Sequence, residues 1–247
     1  MNAFKTLFLT ELKLSWRGLD MVIFALALPV VVMVLIGLLY GQQAAFAGAE
    51  HTFVEQSFGA VSTIAICAGG LMGLPLVIAE ARHRKLFKRF WVTPASPQLL
   101  LAVYLAVYVF YAVVSLVIVY LVAHWGFQCT LRGSWAGFLA VYLLVMLALF
   151  SLGLVIGAMA KDMKKAGLWC TIAYFPMLIF SGATLPYEKL PQIVQQLADW
   201  LPLTQGIKLL KAAFLGLPLE NGGLAALVLI GLSIVCLTAA IKFFRWE

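Results

Sequence analysis

The sequence predicts an all-α polytopic membrane protein. It has six transmembrane helices, an N-terminal amphipathic helix in the membrane interface and re-entrant outer helices between spans five and six. Of its 247 residues, 64% are hydrophobic and 11% are charged, and the mean hydropathy is +1.03. A soluble domain typically has about 25% charged residues. The composition therefore excludes a soluble globular enzyme, a disordered chain and a nucleic-acid-binding module.

Six segments contain no Asp, Glu, Lys or Arg, and these are the predicted spans. They are residues 21–40, 57–79, 98–123, 135–160, 166–185 and 223–241. Each is about 19–26 residues long, which lets an α-helix cross about 30 Å of hydrocarbon. An even number of spans places both termini on the same side of the membrane.

The cations are concentrated in alternate connecting segments. Thirteen of the 17 Lys and Arg residues lie in 1–20, 80–97, 161–165 and 242–247, and four lie in 41–56, 124–134 and 186–222. The positive-inside rule makes the first set cytoplasmic and the second set external, with both termini inside. The net charge of +7 then reflects orientation, so no nucleic-acid partner is expected.

The first element, at 1–20, is predicted to be an amphipathic helix. Its apolar residues recur at helical spacing: Phe4, Leu7, Phe8 and Leu12. Basic residues occupy its other faces, which is typical of a helix lying in the cytoplasmic interface with its cations toward anionic headgroups. A short solvated lead-in is the alternative.

A second cytoplasmic element follows the second span at 80–97. Its apolar face contains Leu86, Phe87, Phe90 and Trp91, and its opposite side contains Arg84, Lys85, Lys88 and Arg89. Thr93-Pro94 and Ser96-Pro97 end this helix. A basic helix with an aromatic face could anchor to membrane lipid, or it could insert into a cytoplasmic partner.

The external segment 186–222 is apolar and punctuated by prolines. Two of its pieces have helical periodicity, and each is too short to span a membrane: Ile193, Val194, Leu197 and Trp200 belong to the first, and Ile207, Leu210 and Phe214 to the second. This pattern favours two half-helices that dip into the outer leaflet, with a soluble cap as the alternative. Small-residue pairs, including Gly69/Gly73 and Gly153/Gly157, permit close helix packing elsewhere.

Several kinds of chemistry are missing from the sequence. No predicted span contains an ionisable residue other than tyrosine and cysteine, which argues against ion-coupled transport and voltage sensing. The sequence contains neither H-E-x-x-H nor G-x-x-x-x-G-K-[ST], so neither a zinc protease site nor an ATP-phosphate site is expected. A six-span protein of this kind either takes its energy from a separate motor or is passive.

Two regions resemble the permease subunits of type 2 ABC transporters, which export drugs, lipids or polysaccharides. The first is Glu80 followed by Phe87-Lys88-Arg89-Phe90-Trp91-Val92-Thr93-Pro94-Ala95-Ser96, although Lys85-Leu86 stands where the family often has Gly-Thr. The second is Phe180-Ser181-Gly182-Ala183-Thr184-Leu185-Pro186, then Leu190-Pro191 and Leu201-Pro202-Leu203-Thr204. Leu201 replaces the family's usual Asn. The resemblance covers nearly the whole chain as one domain, 1–247.

The resemblance implies roles for both regions. The coupling helix that docks into an ATPase would include Glu80, Arg84, Phe87, Lys88, Arg89, Phe90, Trp91, Thr93 and Pro94. The outer gate would include Ser181, Gly182, Pro186, Pro191, Trp200, Pro202 and Lys211. The translocation path from spans one, two and five would include Phe24, Ser62, Thr63, Met72, Phe175, Met177 and Phe180.

The expected protein is thus a non-enzymatic subunit of an ATP-driven exporter in a bacterial inner membrane. Its partners would be an ABC ATP-binding subunit, a second permease copy or paralogue, and membrane lipid. This chain itself would bind no cofactor or metal, since ATP and Mg²⁺ would be held by the ATPase. An uncharged path suits an amphipathic drug-like or lipid-like substrate. The alternative is a passive or scaffolding six-span protein without an ATPase.

Overall fold

A computed structural model describes residues 3–19, 21–41, 43–46, 49–91, 96–160, 162–184, 187, 191–218 and 222–244, without the side chains of Phe90 and Trp91. Within these ranges the chain is helical and has no β-strand beyond an isolated bridge between Ala44 and Thr52. The predicted all-α fold class is confirmed.

The helices follow the predicted order along the chain. They are α1 (Ala3–Gly18), α2 (Leu28–Tyr40), α3 (Phe53–Cys67), α4 (Leu74–His83), α5 (Leu86–Trp91), α6 (Pro97–Phe127), α7 (Trp135–Met159), α8 (Met163–Phe180), α9 (Gln192–Ala198), α10 (Pro202–Leu215) and α11 (Gly222–Phe243). Two π-helical segments extend them. The first, Val22–Ala27, leads into α2, and the second, Ala68–Gly73, joins α3 to α4 as one continuous element.

Side chains that accept hydrogen bonds from backbone N–H groups determine where several helices begin. Thr52 and Glu55 form a capping box at the start of α3, in which the Thr52 N–H donates to the Glu55 carboxylate over 3.0 Å. Ser96, Ser134 and Asp162 cap α6, α7 and α8. These residues satisfy N–H groups that have no partner within the first helical turn.

Five helical elements of the described chain are long and apolar enough to cross a membrane. They are Val22–Tyr40, Phe53–His83, Pro97–Phe127, Trp135–Met159 and Gly222–Phe243. The predicted fifth span forms α8, but α8 has 18 residues and begins with Lys164 and Lys165. By length and hydropathy the structure therefore supports five spans, not the six that were predicted.

Helix α8 nevertheless runs from one end of the bundle to the other. It begins beside Ala160, whose carbonyl accepts a 2.6 Å hydrogen bond from Arg82 near the end of α4. It ends at Phe180, and the following Ser181 shares a cavity with Gln56 at the start of α3. Because α4 and α3 belong to one continuous helical element, these two contacts lie at opposite ends of the bundle.

The connecting segments gather at the two ends as the charge pattern predicts. At one end, Phe87 contacts Phe244 with ring centroids 5.9 Å apart, and α1 and α4 line the same cavity. At the other end, Glu55 pairs with Arg132, whose N–H donates to the Phe214 carbonyl over 3.0 Å. We call these the basic end and the distal end. The last described residue, Phe244, lies at the basic end.

Close helix packing depends on the glycines. Gly153 of α7 lies against the Gly70 carbonyl in the second π-helical segment, and Gly157 lies against Pro75 and Ile78 of α4. A Cβ atom at Gly153 would overlap the Gly70 oxygen. The predicted small-residue contact involving Gly153 and Gly157 is thus confirmed, and it joins α7 to the middle of the second span.

The segment between spans five and six contains two short helices, as predicted. α10 packs against α3, α7 and α11, and it buries Ile207, Leu210 and Phe214. α9 is more peripheral, since Ile193 and Leu197 are largely exposed. The structure therefore incorporates the second short helix into the bundle and leaves the first on its surface.

Candidate functional site

The junction between α4 and α5 lies at the basic end and corresponds to the predicted coupling helix. The helix predicted over 80–97 is not continuous, because α4 ends at His83 and the chain turns at Arg84 and Lys85 before α5 begins. Lys85 has a φ of +57°. Glu80 and Arg84 form a salt bridge of 2.6 Å across this turn.

The described side chains of α5 point in two directions. Lys88 and Arg89 are exposed, whereas Phe87 is buried and packs edge-on against Phe244. The expectation that the Phe87 ring fills a groove in a partner is therefore wrong for this structure, because the same chain already covers the ring. The Phe90 and Trp91 side chains lie outside the described part, as do Thr93 and Pro94.

Arg82 connects this junction to α7. Its guanidinium donates to the carbonyl oxygens of Gly157 over 3.0 Å and Ala160 over 2.6 Å, and it lies 5.6 Å from the centroid of the Phe244 ring. These carbonyls belong to the last turn of α7 and the residue after it, where carbonyl groups have no partner within the helix. A displacement of α4 would therefore be transmitted to the end of α7.

A cavity of about 550 Å³ lies beside the junction. Its apolar and aromatic lining includes Met21, Phe24, Met72, Val107, Tyr108 and Tyr174. Its polar wall includes Glu11 of α1, Glu80, Arg84 and Tyr104. Both π-helical segments contribute to the lining, which places an irregular part of two spans next to an open space; such segments occur frequently at functional sites.

The predicted path residues are distributed among several environments. Phe24 and Met72 line the cavity. Ser62 and Thr63 are fully buried and donate within their own helix, to the carbonyls of Gly59 over 2.8 Å and Ala60 over 2.7 Å. Met177 is buried, whereas Phe175 and Phe180 are exposed on the surface of the chain. Those two rings would line a path only where a second copy covers them.

Three of the six described gate residues line a second cavity, of about 300 Å³, at the distal end. Its lining includes Ser181, Gly182, Tyr187, Thr204, Lys208 and Lys211. Pro191 is the residue before α9, and Pro202 is the first residue of α10. Trp200, between these helices, is 89% exposed. Pro186 lies outside the described residues. Gly182 has a φ of +92°, a conformation that favours glycine, so the turn after α8 depends on it.

A polar cluster holds the first short helix against the second. The Asp199 carboxylate accepts hydrogen bonds from Lys208 over 2.6 Å and from Tyr187 over 2.7 Å. Burial opposes ionisation of Asp199, but these hydrogen bonds outweigh that effect and lower its pKa. Because α9 has little apolar contact with the bundle, the cluster is a main constraint on its position.

Glu55 is the buried charge of the distal end. Its carboxylate accepts hydrogen bonds from the Thr130 hydroxyl over 3.0 Å and the Thr130 N–H over 3.3 Å, and it pairs with Arg132 at 3.3 Å.

We expect Glu55→Ala to lower the stability by about 1–3 kcal/mol for each buried donor left unsatisfied. Thermal unfolding in detergent measures this loss. Glu50→Ala, on the exposed loop, is the matched control, and equal melting temperatures for the two variants would contradict the role.

Three residues of these cavities were not predicted as site residues. Glu11 was assigned only to an amphipathic helix, and Tyr104 and Tyr174 were not distinguished from packing residues. Thr204 belongs to the family-like Leu201-Pro202-Leu203-Thr204 motif but was given no role. The Tyr174 and Thr204 hydroxyls are buried and have no hydrogen-bond partner in the described structure. Glu80 follows the second predicted span, and Glu11 belongs to the helix predicted to lie in the membrane interface on the same side. These positions could have suggested from the sequence that the two carboxylates lie near each other.

A comparison with protein families identifies the architecture. The profile of the ABC-2 type transporter family matches residues 2–215, from α1 to the end of α10. The chain belongs to the ABC-2 type transporter family. Its five candidate spans agree with a multi-pass membrane protein. ABC-2 permeases generally work with an ATP-binding subunit.

Relatives support this assignment over shorter stretches. Nodulation protein J of Rhizobium leguminosarum bv. viciae is 34% identical over 97 residues, which are 39% of this chain and 35% of the relative. Inner membrane transport permease YhhJ of Escherichia coli (strain K12) is 30% identical over 82 residues, 33% of this chain and 22% of the relative. Capsule polysaccharide export inner-membrane protein BexB of Haemophilus influenzae is 35% identical over 79 residues, 32% of this chain and 29% of the relative. The chain thus spans about a third or less of the length of these relatives.

The structure shows why the family often has a glycine at the start of α5. Lys85 occupies the position where the resemblance leads us to expect glycine, and its φ of +57° lies in the left-handed region that favours glycine. The turn before α5 is retained although its residue is less well suited to it.

Proposed function

We propose that this ABC-2 permease is the transmembrane subunit of an ATP-driven exporter of an amphipathic, drug-like or lipid-like molecule. It would act in a bacterial inner membrane, with the basic end in the cytoplasm and α8 as a sixth span. Two copies, or one copy and a paralogue, would surround the path. Two ATP-binding subunits would dock beneath them and hold ATP and Mg²⁺.

This proposal rests mainly on one observation: the junction between α4 and α5 forms part of the cavity wall. Glu80, Arg84 and Leu86 line the cavity, and α5 begins at Leu86. The exposed cations Lys88 and Arg89 lie two and three residues further along the same helix. A partner that moves α5 therefore moves a wall of the cavity without any intervening element.

Movement would be transmitted mechanically from there. ATP binding closes the motor dimer and displaces α5, and α4 tilts with it. Because Arg82 holds the last turn of α7, that helix follows. At the distal end, α10 packs against both α7 and α3, so it would move with them. The helices of segment 186–222 would then open outward. Residues 2–17 and 161–165 would be secondary contacts of the motor.

The cavity supports a small amphipathic substrate. Pockets for drug-sized ligands are typically about 300–1,000 Å³ and mostly apolar with a few polar groups, and the cavity matches this description at about 550 Å³. A polysaccharide is the second candidate, because one relative, BexB, is named as a capsule polysaccharide export protein. A polymer would instead require a continuous path between two copies, where Phe175 and Phe180 are exposed.

Replacing Phe90 and Trp91 with alanine tests the coupling. The sequence places both large aromatic residues on the predicted apolar face of this segment, so their loss should abolish substrate-stimulated ATP hydrolysis by the reconstituted complex. Membrane insertion should be unchanged, because both residues lie outside the spans. Hydrolysis would be measured with drug-like, lipid-like and saccharide substrates added separately.

Two results would contradict the proposal. One is unchanged substrate-stimulated hydrolysis in the double variant. The other is failure to recover a P-loop ATPase at about equal stoichiometry when the wild-type chain is purified without crosslinking. The second result favours the passive or scaffolding alternative.

A further inference from the structure

We infer that the cavity at the basic end binds hydrophobic organic cations, and that Glu11 is the anionic group that selects them. This inference deepens the export function proposed above by naming a substrate class, and it rests on that function for its physiological meaning. It comes from the charges, the walls and an unpaired hydroxyl of the cavity.

The charges around the cavity are unbalanced. Two carboxylates, Glu11 and Glu80, and one guanidinium, Arg84, line it. Arg84 is paired with Glu80 at 2.6 Å. Among the described residues no cation pairs with Glu11, which leaves one carboxylate uncompensated at the edge of an apolar space.

The pKa of Glu11 also indicates that its carboxylate lacks a counterion. Burial, together with the nearby charge of Glu80, raises the pKa of the Glu11 carboxyl above its usual value. A buried carboxylate is costly unless a cation accompanies it. A ligand that brings a positive charge would supply the missing counterion, whereas an anionic ligand would add a third negative charge.

The aromatic and apolar residues of the lining favour a ligand with a large hydrophobic surface. Phe24, Tyr104, Tyr108 and Tyr174 supply aromatic surface, and Met72 supplies a flexible apolar side chain. Aromatic faces attract organic cations, and methionine adapts to ligands of irregular shape. Tyr174 also lines the cavity, and its buried hydroxyl has no hydrogen-bond partner in the described structure.

The position of the cavity provides access from the membrane surface. One wall is α1, whose Leu14 and Ser15 contribute to the lining, and the sequence predicts that this helix lies in the cytoplasmic interface. An amphipathic cation that accumulates at an anionic leaflet would therefore enter beside α1 and place its charge near Glu11.

Two probes of matched shape and opposite charge test the inference. Equilibrium binding of tetraphenylphosphonium and tetraphenylborate would be measured on the purified chain in phosphatidylcholine nanodiscs, with empty nanodiscs subtracted. We expect saturable, one-site binding of the cation only. Glu11→Gln should weaken it by about tenfold or more, because the uncompensated charge is lost. Glu50→Gln, which removes a carboxylate at the distal end, should leave binding unchanged.

A gain-of-binding variant separates charge selection from misfolding. Arg84→Gln removes the cation that neutralises Glu80, so it should tighten binding of tetraphenylphosphonium several-fold, which a damaged fold cannot do. Met72→Trp should weaken binding, because the larger side chain narrows the cavity. Equal binding of both probes, or no change in Glu11→Gln, would overturn the inference. The assay contains no ATP and no ATPase, so its outcome is independent of a failure of ATP-driven export.

Discussion

Gly153→Ala is expected to prevent the helices from assembling and to abolish transport. The added Cβ would overlap the carbonyl oxygen of Gly70, which belongs to the backbone and cannot rotate away as a side chain could. Helix α7 would have to move away from the second π-helical segment and lose its packing there. Overpacking of a core costs about 1–3 kcal/mol and occasionally more, and a backbone overlap falls at the upper end.

Gly231→Ala is the matched control for this prediction. Gly231 lies in α11, and an added Cβ would meet no atom of the described structure within 4 Å. Its replacement should be neutral or should stabilise the protein by up to about 1 kcal/mol, because alanine favours the helix more than glycine does. Fluorescence-detected size-exclusion chromatography and thermal unfolding of both variants in detergent measure the difference. The packing argument fails if Gly153→Ala elutes and melts like Gly231→Ala.

The double replacement Lys88→Glu with Arg89→Glu is expected to release the ATP-binding subunit. Both side chains are exposed on α5, so they can face a partner without rearrangement of the fold. Reversing two charges replaces attraction by repulsion, and like charges facing each other across an interface cost several kcal/mol. Recovery of the ATPase with the tagged permease should fall at least about tenfold, and ATP-dependent transport should be lost.

Lys242→Glu controls for a general effect of charge at the same end. Lys242 is exposed in the last turn of α11 and lies outside the predicted coupling segment. If reversal of charge disturbed insertion or orientation, this variant would show it too. The coupling role of α5 is contradicted if the double variant retains the ATPase, or if Lys242→Glu loses it equally.

Much of the architecture could be predicted because it depends on local properties of the chain. The charge-free segments identified five helices that the structure supports as spans, and α8 fell short because two lysines begin it and it is short. The charge pattern also grouped the connecting segments correctly at two ends. Proline and apolar spacing identified α9 and α10, and the spacing of Gly153 and Gly157 identified a packing face.

The candidate site was harder to predict because it depends on contacts between distant segments. Phe87 had the pattern of a docking residue, but Phe244 covers its ring inside the chain. Ser62 and Thr63 had the pattern of path residues, yet their hydroxyls are satisfied within α3. A Ser or Thr hydroxyl in a helix can bond to a backbone carbonyl of its own helix or to a partner elsewhere. The sequence does not show which of these two hydrogen bonds forms.

Charge and hydropathy along the chain were sufficient to establish a helical membrane protein, its segments and their grouping at two ends. These properties follow from transfer of each residue between water and lipid, which is nearly additive along the sequence. The cavity, the pairing of Arg84 with Glu80 and the isolation of Glu11 required the folded structure. They depend on the shapes of helices packed side by side, and packing is decided by neighbours that are distant in the chain.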